Sequence, residues 1–354
     1  MTGPRVHLTG TTWPGTAAGG LPRYFADLFA ALQRRTDLVA TAAAFGDPDP
    51  GGASWGPDSG PTRARVRASR APVPAGTEVL DRHFALFGPA PRRAALVTHF
   101  HGPWAQERAA AGEGRARVAP KSLIERARYR GSDRFVVLSQ AFADVLVERY
   151  GADRGAVAVI APGVDLERFA PAPSPDGPPR VLCVRRLERR MGIDVLLDAW
   201  PDVLARHPDA RLDIVGDGTA RADLQHRTAA LNITDTVSFV GTIDDAALAD
   251  RYAAATVTVV PSRAWEGFGL VALESLASGR APVVTDVGGL PEAVRGLAAD
   301  LVVPAGDPEA LGHRLAAALE GDRPSADACR AHAGGFSWDV AAARHAALYR
   351  AVAA

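Results

Sequence analysis

Residues 259–279 read VVPSRAWEGFGLVALESLASG, and this stretch is the most informative part of the chain. Its apolar start predicts a strand, its glycines predict a loop, and its Leu- and Ala-rich end predicts a helix. Such a unit places free backbone N–H groups and the positive end of a helix dipole at one edge of a sheet. Two carboxylates, Glu266 and Glu274, flank the loop. If the helix begins near Gly267, its rise per residue separates them by about 12 Å.

This spacing suits a sugar nucleotide, because the loop can hold a diphosphate while each carboxylate accepts hydrogen bonds from sugar hydroxyls. Spacing alone leaves a second interpretation open. In that interpretation Glu266 caps the helix and Glu274 is a solvated helix residue.

Short apolar runs followed by helical periodicity recur along the whole chain. They span 5–8, 38–44, 94–100, 134–138, 157–160, 180–184, 211–215, 237–240, 256–260, 281–285 and 300–303. The alternation predicts parallel sheets covered by helices, and 354 residues suffice for two domains. We therefore predict Rossmann-like domains over 1–170 and 171–335.

Three further segments organise the chain. The proline-rich stretch 170–179 predicts a semi-rigid spacer at the domain boundary, and it is our hinge candidate. Residues 46–76 predict a long surface loop with an embedded strand near Val66. Residues 336–353 predict a helix with a start at Ser337, which could pack across both domains. We assign 336–354 to the first domain.

Composition excludes several function classes. Forty basic residues balance forty acidic ones, so the chain has no overall charge that attracts nucleic acid. We find no apolar run long enough for a membrane helix and no signal peptide, and we expect a cytoplasmic protein. The two cysteines, Cys183 and Cys329, are too few for a disulfide framework or a zinc site. The arginine-rich stretch 108–130 favours a solvated helix face over peripheral membrane contact.

A series of motifs in order identifies a family. They are Gly19-Gly-Leu-Pro-Arg-Tyr24, Val137-Leu-Ser139, Pro162-Gly-Val-Asp-Leu-Glu-Arg-Phe169, Arg186-Leu187, Ile214-Val-Gly-Asp-Gly218, Phe239-Val-Gly241, Pro261-Ser-(x)3-Glu-Gly-Phe-Gly-Leu-Val-Ala-Leu-Glu274 and Gly288-Gly-Leu-Pro-Glu292. Together they resemble retaining glycosyltransferases of the family-four type, whose signature is E-x7-E. The resemblance implies the GT-B fold, with two facing Rossmann-like domains and a C-terminal helix that crosses back to the first.

The resemblance also implies roles for individual residues. Glu274 is similar to the carboxylate that holds the donor ribose, and Glu266 to the one that contacts the donor sugar. The residues that would line the donor are Gly19, Gly20, Gly216, Gly241, Gly267, Phe268, Gly269 and Leu270. Arg186 occupies the position of the arginine that clamps the diphosphate, and a guanidinium fork suits two phosphate oxygens.

One position departs from the family pattern. The usual Arg-Leu-(x)3-Lys-Gly is replaced by a sequence with Met191 where the lysine belongs. Either Arg190 reaches the diphosphate by a small loop shift, or fewer cations hold it. A third interpretation makes Arg189 and Arg190 solvated surface charges.

Two histidines end an apolar run, at His99 and His101. Alternation along a strand puts both on one face. In related enzymes a histidine at this strand end lies beside the reacting sugar, and His101 is our first choice for it. The pair could also indicate hydrogen-bonded structural histidines. It could indicate a metal, but we find no third ligand near it in sequence and predict no metal site and no cofactor.

The resulting hypothesis is a retaining hexosyltransferase that uses a nucleotide diphosphate sugar and a hydroxyl acceptor. Its catalytic residues would be His101, Glu266 and Arg186. The resemblance favours UDP-sugars, with GDP-mannose next and dTDP-deoxysugars third. The alternatives are a non-catalytic binding subunit, which Met191 favours, and a sugar-nucleotide epimerase.

Overall fold

The computed structural model describes residues 3–15, 19–91, 93–110, 112–173 and 177–354. It divides the chain into two compact units. Unit 1 comprises residues 1–163 and 338–354, and unit 2 comprises residues 164–337. The division lies before the proline-rich stretch 170–179, of which residues 174–176 fall outside the described part of the chain.

Unit 1 is built on a parallel sheet. Its described strands are β1 (Arg5–Thr12), β2 (Val39–Phe45), β3 (Gly52–Ser54), β4 (Val79–Arg82), β5 (Ala95–Phe100), β6 (Arg134–Val137) and β7 (Val157–Val159). They are hydrogen-bonded in the order β3-β2-β1-β4-β5-β6-β7, with every pair parallel. The helices between them are α1 (Gly20–Gln33), α2 (Thr62–Ala68), α3 (Trp104–Ala110), α4 (Arg115–Tyr129) and α5 (Gln140–Tyr150).

Unit 2 repeats this plan. Its described strands are β8 (Arg180–Val184), β9 (Arg211–Val215), β10 (Val237–Gly241), β11 (Val257–Val260), β12 (Pro282–Thr285) and β13 (Val302–Val303). Their order is β10-β9-β8-β11-β12-β13, again all parallel. The helices are α6 (Ile193–Arg206), α7 (Arg221–Ala230), α8 (Asp245–Ala254), α9 (Leu270–Ala277), α10 (Leu290–Val294), α11 (Pro308–Leu319) and α12 (Ala326–Gly334). Because helices cover both faces of a parallel sheet, the central strands β8, β11 and β12 are mostly apolar and buried.

The last helix, α13 (Trp338–Ala353), belongs to unit 1. The ring of Trp338 packs against Tyr24 of α1 at a centroid distance of 5.4 Å. Near the other end of α13, Arg350 pairs with Asp37, and the buried Tyr349 hydroxyl donates a hydrogen bond to Asp81. The chain therefore returns to its N-terminal unit after completing unit 2.

The stretch 46–76 differs from the prediction. Val66 lies in α2 rather than in a strand, since alanine and arginine dominate this segment and both favour helix. The strand of this stretch is β3, which pairs with β2 at the edge of the sheet. The apolar pattern also missed β4, because Asp81 and Arg82 occupy two of its four buried positions.

Within the described residues, none of the helices is long and apolar enough to cross a membrane.

Leu146 and Leu123 give a test of the packing in unit 1. Leu146 of α5 is fully buried against Phe100 and Phe142, whereas Leu123 of α4 is 69% exposed. We expect Leu146→Ala to lower the free energy of unfolding by about 2–5 kcal/mol, because it leaves a cavity. Leu123→Ala should change it by less than about 0.5 kcal/mol. Urea unfolding followed by circular dichroism measures both, and equal losses would contradict the placement of α5.

Candidate active site

The candidate site of unit 2 lies where the strand order changes direction. The first strand of this sheet, β8, has β9 on one side and β11 on the other. In parallel sheets, ligands bind at the carboxyl ends of the strands at such a switch point. Arg185 and Arg186 directly follow β8, and Ser262 and Glu266 follow β11.

Glu266 is held by a buried arginine. The Nη2 of Arg185 donates to Glu266 Oε2 and to Ser262 Oγ, and Ser262 Oγ donates to the same Oε2 at 3.0 Å. The side chains of Arg185 and Glu266 are 7% and 15% exposed. Burial opposes ionisation of Glu266, but the charges of Arg185 and Arg190 hold its pKa below the ordinary value. Glu266 is therefore a carboxylate at neutral pH.

The backbone at Glu266 is fixed from a second direction. Gly289 N donates to Glu266 O at 2.9 Å. Gly288 has φ +54°, and a Cβ on it would lie 2.1 Å from that same oxygen. Only glycine fits this close approach. The Gly288-Gly289 pair thus holds the backbone of the Glu266 loop against the segment that follows β12.

The helix after this loop begins later than expected. The predicted start near Gly267 is wrong: α9 begins at Leu270, after Gly269 in the left-handed region at φ +94°. The 12 Å separation estimated from a longer helix therefore does not apply. Glycine takes this conformation without the steric cost that a side chain would add. Glu266 lies outside the helix and does not cap it, since the cap at Gly269 has no side-chain hydrogen bond.

Glu274 lies in α9 and is 6% exposed, so the interpretation as a solvated helix residue is wrong. Its Oε2 accepts a hydrogen bond of 2.9 Å from the hydroxyl of Tyr252 on α8. The same hydroxyl lies 3.2 Å from Val271 O. Tyr252 thus links the predicted ribose-binding carboxylate to the helix that follows β10.

Two predicted glycines meet at the same edge of the sheet. Gly216 follows β9 and its N–H donates to Gly241 O at the end of β10, at 2.8 Å. A Cβ on Gly216 would lie 2.0 Å from Arg185 O, so the backbone packs tightly here. These glycines therefore shape the ends of β8, β9 and β10.

Met191, which stands where the family pattern has a lysine, is a core residue in this chain. Met191 is 4% exposed and belongs to the apolar core of unit 2. Arg190 is half-buried, and its Nη1 donates to Trp265 O at 3.1 Å, one residue before Glu266. The interpretation of Arg190 as a solvated surface charge is therefore wrong. Arg186 is exposed at the carboxyl end of β8.

In unit 1, Gly19 and Gly20 stand at the start of α1. Gly19 is the N-cap residue, at φ +152°, and Gly20 is the first helical residue. Tyr24, one turn later, is fully buried, and its ring lies 5.0 Å from that of His101 and 5.9 Å from that of His99. The start of α1 is thus adjacent to the predicted histidines.

His99 and His101 belong to a larger group that we call the histidine cluster, which consists of His83, His99, His101 and His345 around Asp81. Asp81 is fully buried at the carboxyl end of β4 and accepts hydrogen bonds from Tyr349 and from His99 Nε2, the latter at 3.1 Å. His83 Nδ1 lies 3.4 Å from His101 Nε2. Burial lowers the pKa of His99 to about 3 and of His345 to about 4, so both are neutral at pH 7.

The cluster contains the third histidine that sequence spacing did not show. Ring nitrogens of His83, His99 and His101 lie within 4.8 Å of one another. The rings of His83 and His99 stack at 3.8 Å with an interplanar angle of 19°. Lone pairs of stacked imidazoles lie in nearly parallel planes, whereas the ligands of a tetrahedral metal site converge on one point. The cluster therefore has the arrangement of hydrogen-bonded and stacked rings.

Part of the arginine-rich stretch is structural. Glu125 of α4 is fully buried and accepts hydrogen bonds from the N–H groups of Trp104 and Ala105, which begin α3. Arg128 donates to Ala85 O and Phe87 O at 2.7 and 2.8 Å. These two charges therefore hold loops of unit 1 in place rather than facing solvent.

The sequence analysis missed Arg185, Ser262, Tyr252, Asp81 and His83. The sequence offered a signal for two of these five residues. Arg185 precedes the predicted Arg186, and Ser262 lies within the quoted motif. Asp81 and His83 lie in no recognised motif, and the short strand that contains Asp81 and ends just before His83 was not predicted.

Two family models match the chain. One, described as Glycosyltransferase Family 4, matches residues 18–168, and the other, Glycosyl transferases group 1, matches residues 165–333. A D-inositol 3-phosphate glycosyltransferase of Streptomyces griseus is 37% identical over 68% of this chain and 57% of its own length. One of Streptomyces bingchenggensis is 35% identical over 73% of this chain and 61% of its own length. The chain thus spans about three fifths of these curated relatives.

Solved structures agree with the fold. Sucrose-phosphate synthase from Thermosynechococcus elongatus superposes with a TM-score of 0.80 at 25% identity, covering 98% of both chains. Anabaena HepE in complex with UDP and glucose gives 0.76 at 17% identity, covering 98% of this chain and 99% of its own. The chain has two α/β units, each with a parallel sheet, and its last helix belongs to the first unit, which is the GT-B fold of sucrose-phosphate synthase. The chain belongs to the group 1 glycosyltransferase family.

Adjacent arginines allow a test of the Glu266 contacts. Arg185→Gln leaves a buried carboxylate without its cation, and we expect the free energy of unfolding to fall by about 3–5 kcal/mol. Arg186→Gln, at an exposed position, should change it by less than about 0.5 kcal/mol. Urea unfolding at pH 7 compares the two variants. Because the folded pKa of Glu266 is depressed, the contribution of this pair is present at neutral pH and is lost as pH falls through that pKa. Equal stability of both variants would show that Arg185 does not support Glu266.

Proposed function

We propose that this protein is a retaining, metal-independent glycosyltransferase that transfers a hexose from a nucleotide diphosphate sugar to a hydroxyl acceptor. The observation that carries the proposal is the ionised Glu266, held by Arg185 and Ser262 at the switch point of unit 2. Family membership and the names of the relatives support the same class of reaction.

Glu266 is suited to contact the donor sugar. The hydrogen bonds from Arg185 and Ser262 both end on its Oε2. A carboxylate oxygen with remaining acceptor capacity binds a sugar hydroxyl through a charge-assisted hydrogen bond. Arg185 keeps this oxygen ionised and fixes its direction, so the hydroxyl meets a preorganised acceptor.

The diphosphate would lie between the end of β8 and the start of α9. Arg186 is exposed at the end of β8. The backbone N–H groups of residues 267–270 lie just before and at the start of α9. As the bond from the sugar to the diphosphate breaks, negative charge grows on the leaving group. A guanidinium and the N-terminus of a helix stabilise that charge more in the transition state than in the ground state. Arg190 adds positive charge beside the same loop.

Two further residues have roles in the proposed reaction. Glu274 would accept hydrogen bonds from the ribose hydroxyls, and the buried hydroxyl of Tyr252, which donates to Glu274, would hold the carboxylate in place. His101, at the end of β5 in unit 1, would contact the transferred sugar. In a front-face displacement the acceptor hydroxyl attacks from the side of the leaving group, and the diphosphate takes the proton. Such a step needs no protein nucleophile.

We favour a uridine nucleotide as donor, with GDP-sugars next. HepE has been solved with UDP and with UDP-glucose, and this chain has the same fold. For the acceptor, the relatives named D-inositol 3-phosphate glycosyltransferases make a phosphorylated polyol the first class to assay.

Nucleotide binding separates the roles of the two carboxylates. We expect UDP at about 100 times its dissociation constant to stabilise the wild-type protein by roughly 2.7 kcal/mol, which raises the melting temperature by several degrees. Glu274→Ala should weaken UDP binding at least tenfold, because ribose contacts are lost, whereas Glu266→Ala should affect turnover more than UDP binding. Thermal unfolding with UDP, GDP and dTDP measures this. No shift with any nucleotide would favour a non-catalytic subunit.

Turnover tests the reaction itself. We expect transfer from UDP-glucose to D-inositol 3-phosphate or another hydroxyl acceptor to continue in EDTA, since the charge of the leaving group is met by Arg186, Arg190 and backbone N–H groups. Proton NMR of the product should show the anomeric configuration of the donor. Inversion, or loss of activity in EDTA that added Mg²⁺ restores, would refute this mechanism. Conversion of the donor sugar without transfer would indicate an epimerase.

A further inference from the structure

The histidine cluster joins a buried carboxylate to a half-buried histidine. Asp81 and His83 are 0% and 2% exposed, whereas His101 is the ring among His83, His99 and His101 that is not fully buried. The distances run from Asp81 Oδ2 to His83 Nε2, 3.5 Å, and from His83 Nδ1 to His101 Nε2, 3.4 Å. His83 therefore stands between Asp81 and His101: its Nε2 faces the carboxylate at ion-pair distance without a hydrogen bond, and its Nδ1 is within hydrogen-bond distance of His101.

The position of the protons along this path from Asp81 through His83 to His101 follows from charge. Burial opposes ionisation of Asp81, but His99 and His83 hold its pKa well below the ordinary value, so it is a carboxylate. When one nitrogen of a neutral imidazole faces a carboxylate, the favoured tautomer has its proton on that nitrogen. In the other tautomer a lone pair would face the negative charge. In its neutral form, His83 then carries its proton on Nε2 and presents a lone pair at Nδ1. That lone pair accepts a hydrogen bond from His101 only if His101 is protonated on Nε2.

We propose that Asp81 and His83 are positioning residues that hold His101 as its Nε2–H tautomer, so that His101 Nδ1 is a hydrogen-bond acceptor for a substrate hydroxyl. This inference rests on the proposed contact between His101 and the transferred sugar. It adds to that contact the direction of the hydrogen bond: the hydroxyl donates and the histidine accepts. The histidine cluster thus prepares a neutral hydrogen-bond acceptor, whereas Glu266 is a charged one.

The surroundings of the path keep His101 neutral. The titratable groups that face it come from four elements, and they are Tyr24 on α1, Asp81 and His83 at the end of β4, His99 on β5, and His345 and Tyr349 on α13. Burial and the neighbouring His99 and His83 lower the pKa of His101 well below its ordinary value. A neutral ring has one donor and one acceptor nitrogen, so fixing the first defines the second.

The first experiment reads the tautomer without any substrate. Protein labelled with 15N at histidine is examined by two-bond 1H–15N correlation NMR at pH 7, and His101→Gln assigns the resonances of His101. We expect the pattern of an Nε2–H imidazole for His101 and for His83. His7 of β1, which hydrogen-bonds Thr41, serves as an internal reference. An Nδ1–H pattern for His101 would overturn the proposal.

The second experiment breaks the path at His83. His83→Leu removes the acceptor that faces His101, whereas His83→Asn keeps an amide oxygen near the position of Nδ1. We expect kcat to fall roughly 10- to 100-fold in His83→Leu with little change in KM for the donor, as for a misplaced catalytic group. His83→Asn should restore most of this loss. Equal kcat in both variants and in wild type, with an unchanged His101 tautomer, would overturn the proposal.

The third experiment removes the charge. Asp81→Asn should allow the Nδ1–H form of His101 to appear and should lower kcat. The matched control is Asp37→Asn, an exposed carboxylate of the same unit that pairs with Arg35 and Arg350. It should change neither the His101 resonances nor kcat. If Asp81→Asn does not fold, the His83 pair decides the outcome.

These readouts separate two failures. If the tautomer behaves as expected but His101→Gln retains full turnover, the path is supported and the proposed contact between His101 and the sugar is refuted. If His101→Gln loses turnover while the tautomer is Nδ1–H, the contact is supported and the path is refuted.

Discussion

Parallel strand pairing is the constraint on which the rest of this structure depends. Every described strand pair in both sheets is parallel, so each connection must cross over the sheet and each strand ends at the same edge as its neighbours. Residues from distant parts of the chain therefore meet at that edge. Arg185 and Glu266 are 81 positions apart, and Asp81 and Tyr349 are 268 positions apart. The polar groups described for the candidate site lie at or just beyond these strand ends.

The two units stabilise their buried carboxylates in different ways. In unit 2, Glu266 receives a full positive charge from Arg185 and a hydroxyl from Ser262. In unit 1, Asp81 accepts hydrogen bonds from the imidazole of His99 and the hydroxyl of Tyr349, and the ring of His83 lies beside it. An ion pair holds a charge in place over a wide range of pH, whereas neutral donors transmit a direction along hydrogen bonds. The ion pair in unit 2 suits a carboxylate that contacts a ligand, and the hydrogen bonds in unit 1 suit the orientation of a neutral imidazole.

Much of the fold could be predicted because buried parallel strands consist of uninterrupted apolar residues. The runs at 134–138 and 180–184, each with four apolar residues after an arginine, are examples, and both contain strands of the structure. The failures have two causes. In α2, a single valine suggested a strand although the alanines and arginines around it favour helix. The strand β4 contains Asp81 and Arg82, whose burial depends on partners far along the chain. Local composition carries no information about such partners.

For the candidate site, the sequence by itself determined the strand, glycine loop and helix that carry Glu266 and Glu274, because glycines and apolar periodicity act locally. It also determined that the last helix would form. Only the tertiary structure decided that Arg185 pairs with Glu266 while Met191 enters the core, and that His83 stands between Asp81 and His101. These contacts join residues on different strands and loops. Their free energy comes from burial and charge in a shared environment, which exists only after the sheets have formed.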